Sequence, residues 1–333
     1  MERSLARAQE QAERDQQVLA AADLLYLRFH LAEHAGRALD LREALARSAD
    51  RLEQWPERHG EQAARLAEAL GRAAYQTGDY LEATEQWSRA LDLAESASER
   101  RVGVAARVGL GQIHYAMGAW NTGLRFHRDA LLQLRPLNDS YLAAKVALNL
   151  GVGHLESQQL EDAERQFSHG LAAARRGGHR EFEAEAHWHL ARAALSRGQL
   201  PLAVADCRLA LDIATRLHHH WLEGAASRTW TDIALARGDT QSAIRSCRHA
   251  LELAERIQSR PQQLQAHLQL ARLLEQQDQP AEALQHLWKY LALREHSEQQ
   301  SQGIAGRSLA PQGPLDPASV GEGSSGTRSP SAR

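Results

Sequence analysis

The residues best suited to chemistry in this 333-residue chain are two cysteines, Cys207 and Cys247, and 17 histidines. Two cysteines cannot build a disulfide framework, and a reducing compartment is the expected setting. The histidines cluster as His187 with His189 and as the run His218, His219 and His220. Neither cluster has the i,i+4 spacing with a glutamate that a zinc protease uses, and no cysteine lies near in sequence to complete a structural site. No metal and no cofactor is therefore expected. A Gly-rich phosphate loop, a nucleophile elbow and a paired-carboxylate motif are all missing, so no catalytic residue is assigned and an enzyme is not expected.

Bulk charge narrows the partners. The net charge is −3 and the sequence pI is near 6.6, which leaves no basic field to hold nucleic acid or an anionic membrane. Lysine occurs only at Lys145 and Lys289, so nearly all cations are arginines. The first residues, MERSLARAQEQAERDQQ, are charged from the second position and carry no apolar core of signal-peptide length. No later segment has the apolar length of a membrane span. A cytoplasmic location is expected.

Side chains must be positioned by elements, and here the elements repeat. The stretch LGRAAYQTGDYLEATEQWSRAL, from Leu70 to Leu91, returns without a gap every forty residues: Gly78 is followed by Gly118, Gln158, Gly198, Gly238 and Asp278, and Ala83 by Gly123, Ala163, Ala203, Ala243 and Ala283. Such a period marks a stacked repeat. Leu66, Leu70, Ala73 and Ala74 form the apolar stripe of a first helix, A. Leu81, Ala83, Trp87, Ala90 and Leu91 form that of a second, B. Gly78 suits the left-handed closure of helix A, Asp79 can cap helix B, and Glu82 can complete a capping box. So short a connection makes the pair antiparallel. Gly71, Ala83 and Ala90 are small where helices approach most closely, and Trp87 fills the space they leave.

Leu70 with Gly71, Ala83 with Trp87, and the late Ala90 resemble the tetratricopeptide repeat. The resemblance implies an all-α, right-handed superhelical solenoid of antiparallel helix pairs. It differs in its forty-residue period and in lacking the proline that closes each unit. Cys207 and Cys247 share the register position of Trp87 on neighbouring helices roughly 9 to 10 Å apart, too far for a disulfide, and are expected to be core thiols. His114 and His154 share a helix A position and are expected to pack. The histidine run falls at a connector between units four and five.

Three segments are expected. Residues 1–60 hold N-terminal helices forming a degenerate first unit, with one helix or two up to residue 35 and another from Leu41 to Trp55. Residues 61–296 hold six repeats, ending where Tyr290 replaces the late alanine. Residues 297–333, of which 18 are Gly, Pro or Ser, are expected to be a disordered tail.

Every strongly patterned position is accounted for by packing or capping, so function is assigned to variable positions of helix A, which in the tetratricopeptide family line the concave groove. By register these include Arg72, Gln112, Lys145, Asn149, Glu185, Trp188, His189, Arg192, Arg228, Asp232, Gln269 and Arg272. Trp188, His189 and Arg192 lie within one turn and can stack on, hydrogen-bond and charge-pair with a ligand; the alternative is that Trp188 is core. Asn149 can pair with both groups of a bound backbone. The Lys and Asn places of the carboxylate clamp that holds chaperone tails read Glu68 and Arg72, Trp188 and Arg192, or Arg228 and Asp232, which does not support chaperone docking. The closing unit, around Leu287 to Glu295, resembles that of bacterial tetratricopeptide sensor modules. The resemblance implies a non-catalytic scaffold that binds a protein or peptide partner, or a ligand-responsive regulatory module acting through a separate output protein. Self-association is compatible with either.

Overall fold

The computed structural model of the protein describes residues 2–34, 37–53 and 56–305, and among these no strand occurs. Fifteen α-helices follow one another: α1 (Glu2–Arg14), α2 (Val18–His34), α3 (Arg42–Glu53), α4 (Pro56–Thr77), α5 (Tyr80–Ser96), α6 (Arg100–Ala116), α7 (Trp120–Leu134), α8 (Ser140–Glu156), α9 (Leu160–Gly177), α10 (Arg180–Ser196), α11 (Leu200–Arg216), α12 (His220–Ala236), α13 (Thr240–Arg256), α14 (Arg260–Gln276) and α15 (Pro280–Ala305). Helices α4 to α15 form six antiparallel pairs, each packed on the next, in an all-α solenoid.

The connections explain the regular stacking. A residue with positive φ stands between successive helices at Gly78, Ser98, Gly118, Asn138, Gln158, Gly178, Gly198, His218, Gly238, Gln258 and Asp278, one every twenty residues. The structure thus adds a second series of left-handed turns, between units, to the series legible within units. At the first turn the Gly78 amide donates to the Tyr75 carbonyl at 3.0 Å and the Asp79 amide to that of Ala74 at 2.9 Å, closing α4. Asp79 then accepts from the Glu82 amide at 3.3 Å. The other half of the expected capping box is not made: the Glu82 carboxylate turns to Arg42 instead. An arginine offers a charge-assisted bond, whereas the Asp79 amide already has a carbonyl partner.

Packing between pairs follows a rule of compensating size. Trp87 is 1% exposed and lies between two glycines: a Cβ on Gly71 would come within 2.6 Å of its ring, and one on Gly109, in the next unit, within 2.3 Å. His127 and Phe167 repeat this against Gly111 and Gly151, where a Cβ would meet the ring at 2.5 and 2.4 Å. In units four and five the facing residues grow to Ala191 and Thr231, and the helix B residue shrinks to Cys207 and Cys247. Both thiols are fully buried and unbridged, as the register predicts, and burial pushes each up to about 12.

The N-terminal segment contains two helices before residue 35, α1 and α2. The latter packs on α4 through Arg65 to Asp23 at 2.9 Å, Tyr26 to Glu68 at 3.2 Å and Gln76 to Glu33 at 3.1 Å. These partners lie 42 or 43 residues apart, so α2 and α3 act as an additional pair with a slightly longer period. Trp55, the expected end of the second N-terminal stretch, lies outside the described residues. At the other end α15 runs through Ala305, eight residues past the expected start of the tail at residue 297. The rest of that segment, 306–333, lies outside the described residues.

One turn of the superhelix brings its ends together. Helix α14 reaches α4, and α15 reaches α5. At the join, the position a Cβ would take on Gly78 is 3.0 Å from Pro261 Cδ and 3.6 Å from Arg260 Cβ. Units one and six therefore meet along a seam, and the concave face becomes the wall of an enclosed groove.

The concave cavity as a candidate functional site

The groove holds a cavity of about 480 Å³ that draws residues from all six units. A smaller one, about 130 Å³, adjoins it and shares Tyr75, Gln76, Gln112, Glu185 and Trp221. Aromatic walls come from helix ends. Tyr75 meets Tyr80 with ring centroids 5.6 Å apart across the first turn, and Tyr115 meets Trp120 at 5.4 Å across the second. Burial pushes Tyr75 up to about 12 and raises Tyr80 and Tyr115 further, so these phenols are neutral donors at physiological pH. The amide side chains of Gln76, Gln112, Asn149, Gln262 and Gln265 share the lining with the rings. Such a lining combines apolar area with polar donors and acceptors.

The expected Trp188, His189 and Arg192 cluster is assembled as one unit. The indole Nε1 donates to Thr229 Oγ1 at 2.8 Å, and the ring stacks on His189 at 4.2 Å and meets Trp221 edge-on at 5.7 Å. His189 is sandwiched, with Phe167 on its other side at 4.9 Å. Burial lowers its pKa, leaving a neutral imidazole. The Arg192 guanidinium lies 5.5 Å above the Trp188 ring and donates to Glu156 at 2.6 Å. Trp188 is 9% exposed and packs with Ala184, Ala210, Ile213 and Leu222. The body of Trp188 belongs to the core between units four and five, and its remaining surface lines the cavity.

Arg228 differs from Arg192. Its Nη1 donates to Gln265, its Nε is buried without a partner, and no carboxylate pairs with it among the described residues. Burial lowers its pKa, only partly offset by Asp232. Lys145 in the smaller cavity is likewise lowered, by burial and then by Arg72. Glu185 lines both cavities, with its carboxylate 3.7 Å from the neutral His189. The groove thus presents both signs of charge between aromatic walls.

Other expected groove residues are placed differently. Arg72 is 6% exposed and held by Glu33 at 3.1 Å and Glu68 at 3.4 Å, with Phe29 beneath it at 4.9 Å. It borders the smaller cavity, but its charge is committed to tying the cap to unit one. Asn149 donates from Nδ2 to the Lys145 carbonyl one turn back at 2.9 Å, so part of its pairing capacity serves its own helix. Asp232 accepts from Gln269 at 2.6 Å, and both lie, with exposed Arg272, outside the cavities. Tyr75, Tyr80, Tyr115, Trp120 and Trp221 are cavity residues that the groove register passes over. Their signal was available: Tyr75 and Tyr115, like Tyr80 and Trp120, are forty residues apart.

Five other histidines singled out by the sequence have local roles. His187 contacts Asp206 at 2.7 Å and Arg175 at 3.3 Å. His114 stacks on Phe126 at 5.2 Å. His154 pairs with Gln159 at 2.6 Å. His218 takes the left-handed turn between α11 and α12, and His219 caps α12 by accepting from the Leu222 amide at 3.4 Å. Among the described residues no group of three His, Cys, Asp or Glu could hold a metal ion, and no helix is long and apolar enough to cross a membrane.

No family model and no curated protein matches the chain in sequence. Solved structures resemble it in fold. A Rap protein complexed with competence and sporulation factor superposes with a TM-score of 0.65 at 17% identity, covering 88% of this chain and 80% of that one. The Rap conjugation gene regulator of plasmid pLS20, in complex with the Phr* peptide, gives 0.61 at 16% identity, covering 88% and 73%. A signal transduction ATPase with a tetratricopeptide repeat sensor from Pyrococcus horikoshii gives 0.53 at 15% identity, covering 79% and 42%. At these identities the likeness is one of architecture, and that architecture is the tetratricopeptide-like solenoid.

Proposed function

We propose that this chain is a non-catalytic interaction module that binds a short extended segment of a peptide or protein in its concave cavity. The observation that carries this reading is the lining: aromatic walls, amide side chains and an arginine, Arg228, held without a carboxylate partner. An extended backbone needs donors and acceptors at intervals, side-chain pockets between them, and an unneutralised charge to fix its direction. Two structures of similar fold are complexes with a peptide or with competence and sporulation factor, which supports the same reading here. The buried free thiols fit a reducing cytoplasm.

A second reading is favoured by the seam. The larger cavity takes Tyr75, Gln76 and Tyr80 from one side of the join and Ser259, Pro261, Gln262 and Gln265 from the other. A ligand touching both sides stabilises the closed superhelix by its differential affinity, which makes the chain a regulator rather than a passive scaffold.

Both readings are tested by selecting a displayed random-peptide library on the immobilised full chain and measuring synthetic copies of the enriched peptides. Wild-type protein is expected to bind them with a Kd of about 1 to 100 µM. Arg228→Gln and Arg192→Glu, with unchanged circular dichroism, are each expected to weaken them at least about tenfold, a loss of about 1.4 kcal/mol. Enriched peptides that bind both variants as tightly as wild type would place the site elsewhere. Hydrogen exchange with the bound peptide separates the two mechanisms: protection spread to the seam supports the regulator, and protection confined to the contact residues supports the scaffold.

A further inference from the structure

Helix α15 ends the stack of described pairs with a face more apolar than any earlier helix B. Leu284, Leu287 and Leu291 occupy the register positions of Ile244, Cys247 and Leu251. On α13 these are 6%, 0% and 8% exposed because α14 covers them; on α15 the leucines are 53%, 38% and 37% exposed. Between them stands Trp288, 65% exposed, at a position filled in the five preceding units by Ser88, Arg128, Ser168, Arg208 and Arg248. A terminal repeat ordinarily carries a polar outer face. This one replaces a polar position with the largest apolar side chain, and a contiguous patch of this kind marks an interaction surface.

We propose that the open face of α15 is the interface of a homodimer, two copies joined tail to tail about a two-fold axis. The stripe is symmetric about the midpoint between Leu287 and Trp288. When two α15 helices cross antiparallel there, Leu284 of one copy meets Leu291 of the other, and Leu287 meets Trp288, in both directions at once. The opposite end of the solenoid offers no match. It is closed by α1, ERSLARAQEQAER, which buries only Gln9 and Ala12 and presents charged and amide side chains outward. Head-to-tail stacking would set an apolar face against a polar one. The isologous arrangement pairs like with like and closes at two copies. The buried aromatic at its centre supplies the anchor that an interface needs. The surface lies outside the concave cavity, so the inference stands independently of the peptide-binding reading.

Sedimentation of the full chain over a wide concentration range tests it. Wild type is expected to shift towards twice the chain mass of 36.9 kDa as concentration rises. Trp288→Arg, which restores the residue of the preceding two units, is expected to weaken dimerisation at least tenfold without changing the circular dichroism spectrum. Leu284→Gln, at a second exposed position, should act in the same direction. Leu287→Cys, which sits beside the axis, is expected to form a disulfide-linked dimer under mild oxidation in native buffer, because the native thiols are buried. A wild-type chain that stays monomeric throughout overturns the proposal. So does a dimer whose affinity neither Trp288→Arg nor Leu284→Gln reduces.

Discussion

His127 shows how much a single position in a repeat can differ from its equivalents. Its register partners are Trp87, Phe167, two cysteines and Leu287, all able to sit in an apolar layer. His127 is fully buried there with neither ring nitrogen hydrogen-bonded. Burial, then Lys145 and His114, push its pKa down from 6.5 to about 3. The sign follows from linkage. The unfolded chain takes up the proton first as pH falls through 6.5, so stability present above that pH is lost progressively down to about 3. At pH 5 the loss from this one site is about 2 kcal/mol relative to pH 8. His267, lowered to about 4 by burial and then by His286, acts in the same direction. His127→Leu is expected to raise stability at pH 7 by about 1–2 kcal/mol, since it removes two unsatisfied polar atoms, and to flatten the fall between pH 6.5 and 4. Urea denaturation at several pH values checks both. A variant with the wild-type pH slope would show that His127 finds partners in solution.

At the scale of the element, the pairing of small and large residues decides which helices fit. Trp87 requires glycine on both of its neighbours, one in its own unit and one in the next. Gly109→Ala is expected to cost about 1–3 kcal/mol through overpacking, although alanine is the better helix former. Combining it with Trp87→Leu should cost less than the sum of the single changes, with a coupling of at least about 1 kcal/mol in a denaturation cycle. Strict additivity would mean that the layer relaxes without strain. Gly71 was recognisable in sequence because it belongs to a repeated Leu-Gly pair. Gly109 was not, because its register equivalents are Ala69, Asn149, His189, Thr229 and Gln269, and only the packed neighbour explains the glycine.

For the whole molecule the seam is the controlling feature. Gly78 and Gly238 have nearly the same backbone, φ +78° and +75°, but only Gly78 has a neighbour, Pro261, at the seam. Valine at either position carries the same left-handed strain, of order 1–3 kcal/mol. Gly78→Val alone also drives a side chain into α14. Small-angle scattering is therefore expected to show an expanded solenoid for Gly78→Val and an unchanged radius of gyration for Gly238→Val. Equal scattering from both would mean that the ends do not depend on this contact.

The helix pairs, the turns within each pair and the core thiols were legible from residue types at forty-residue spacing. Such features depend on contacts within a unit and with its immediate neighbour, and register alone specifies those contacts. Trp188, His189 and Arg192 were found in the same way, being one turn of one helix. What register could not show is whatever joins residues far apart in the chain. The seam between Gly78 and Pro261 depends on the small rotation accumulated from pair to pair. The Arg72 ion network depends on a cap whose period is 42 or 43 rather than forty. The aromatic rings of the cavity depend on where helix ends fall around the closed turn. Local periodicity determines the units, whereas the superhelical path summed over all of them decides which surfaces meet and which remain open.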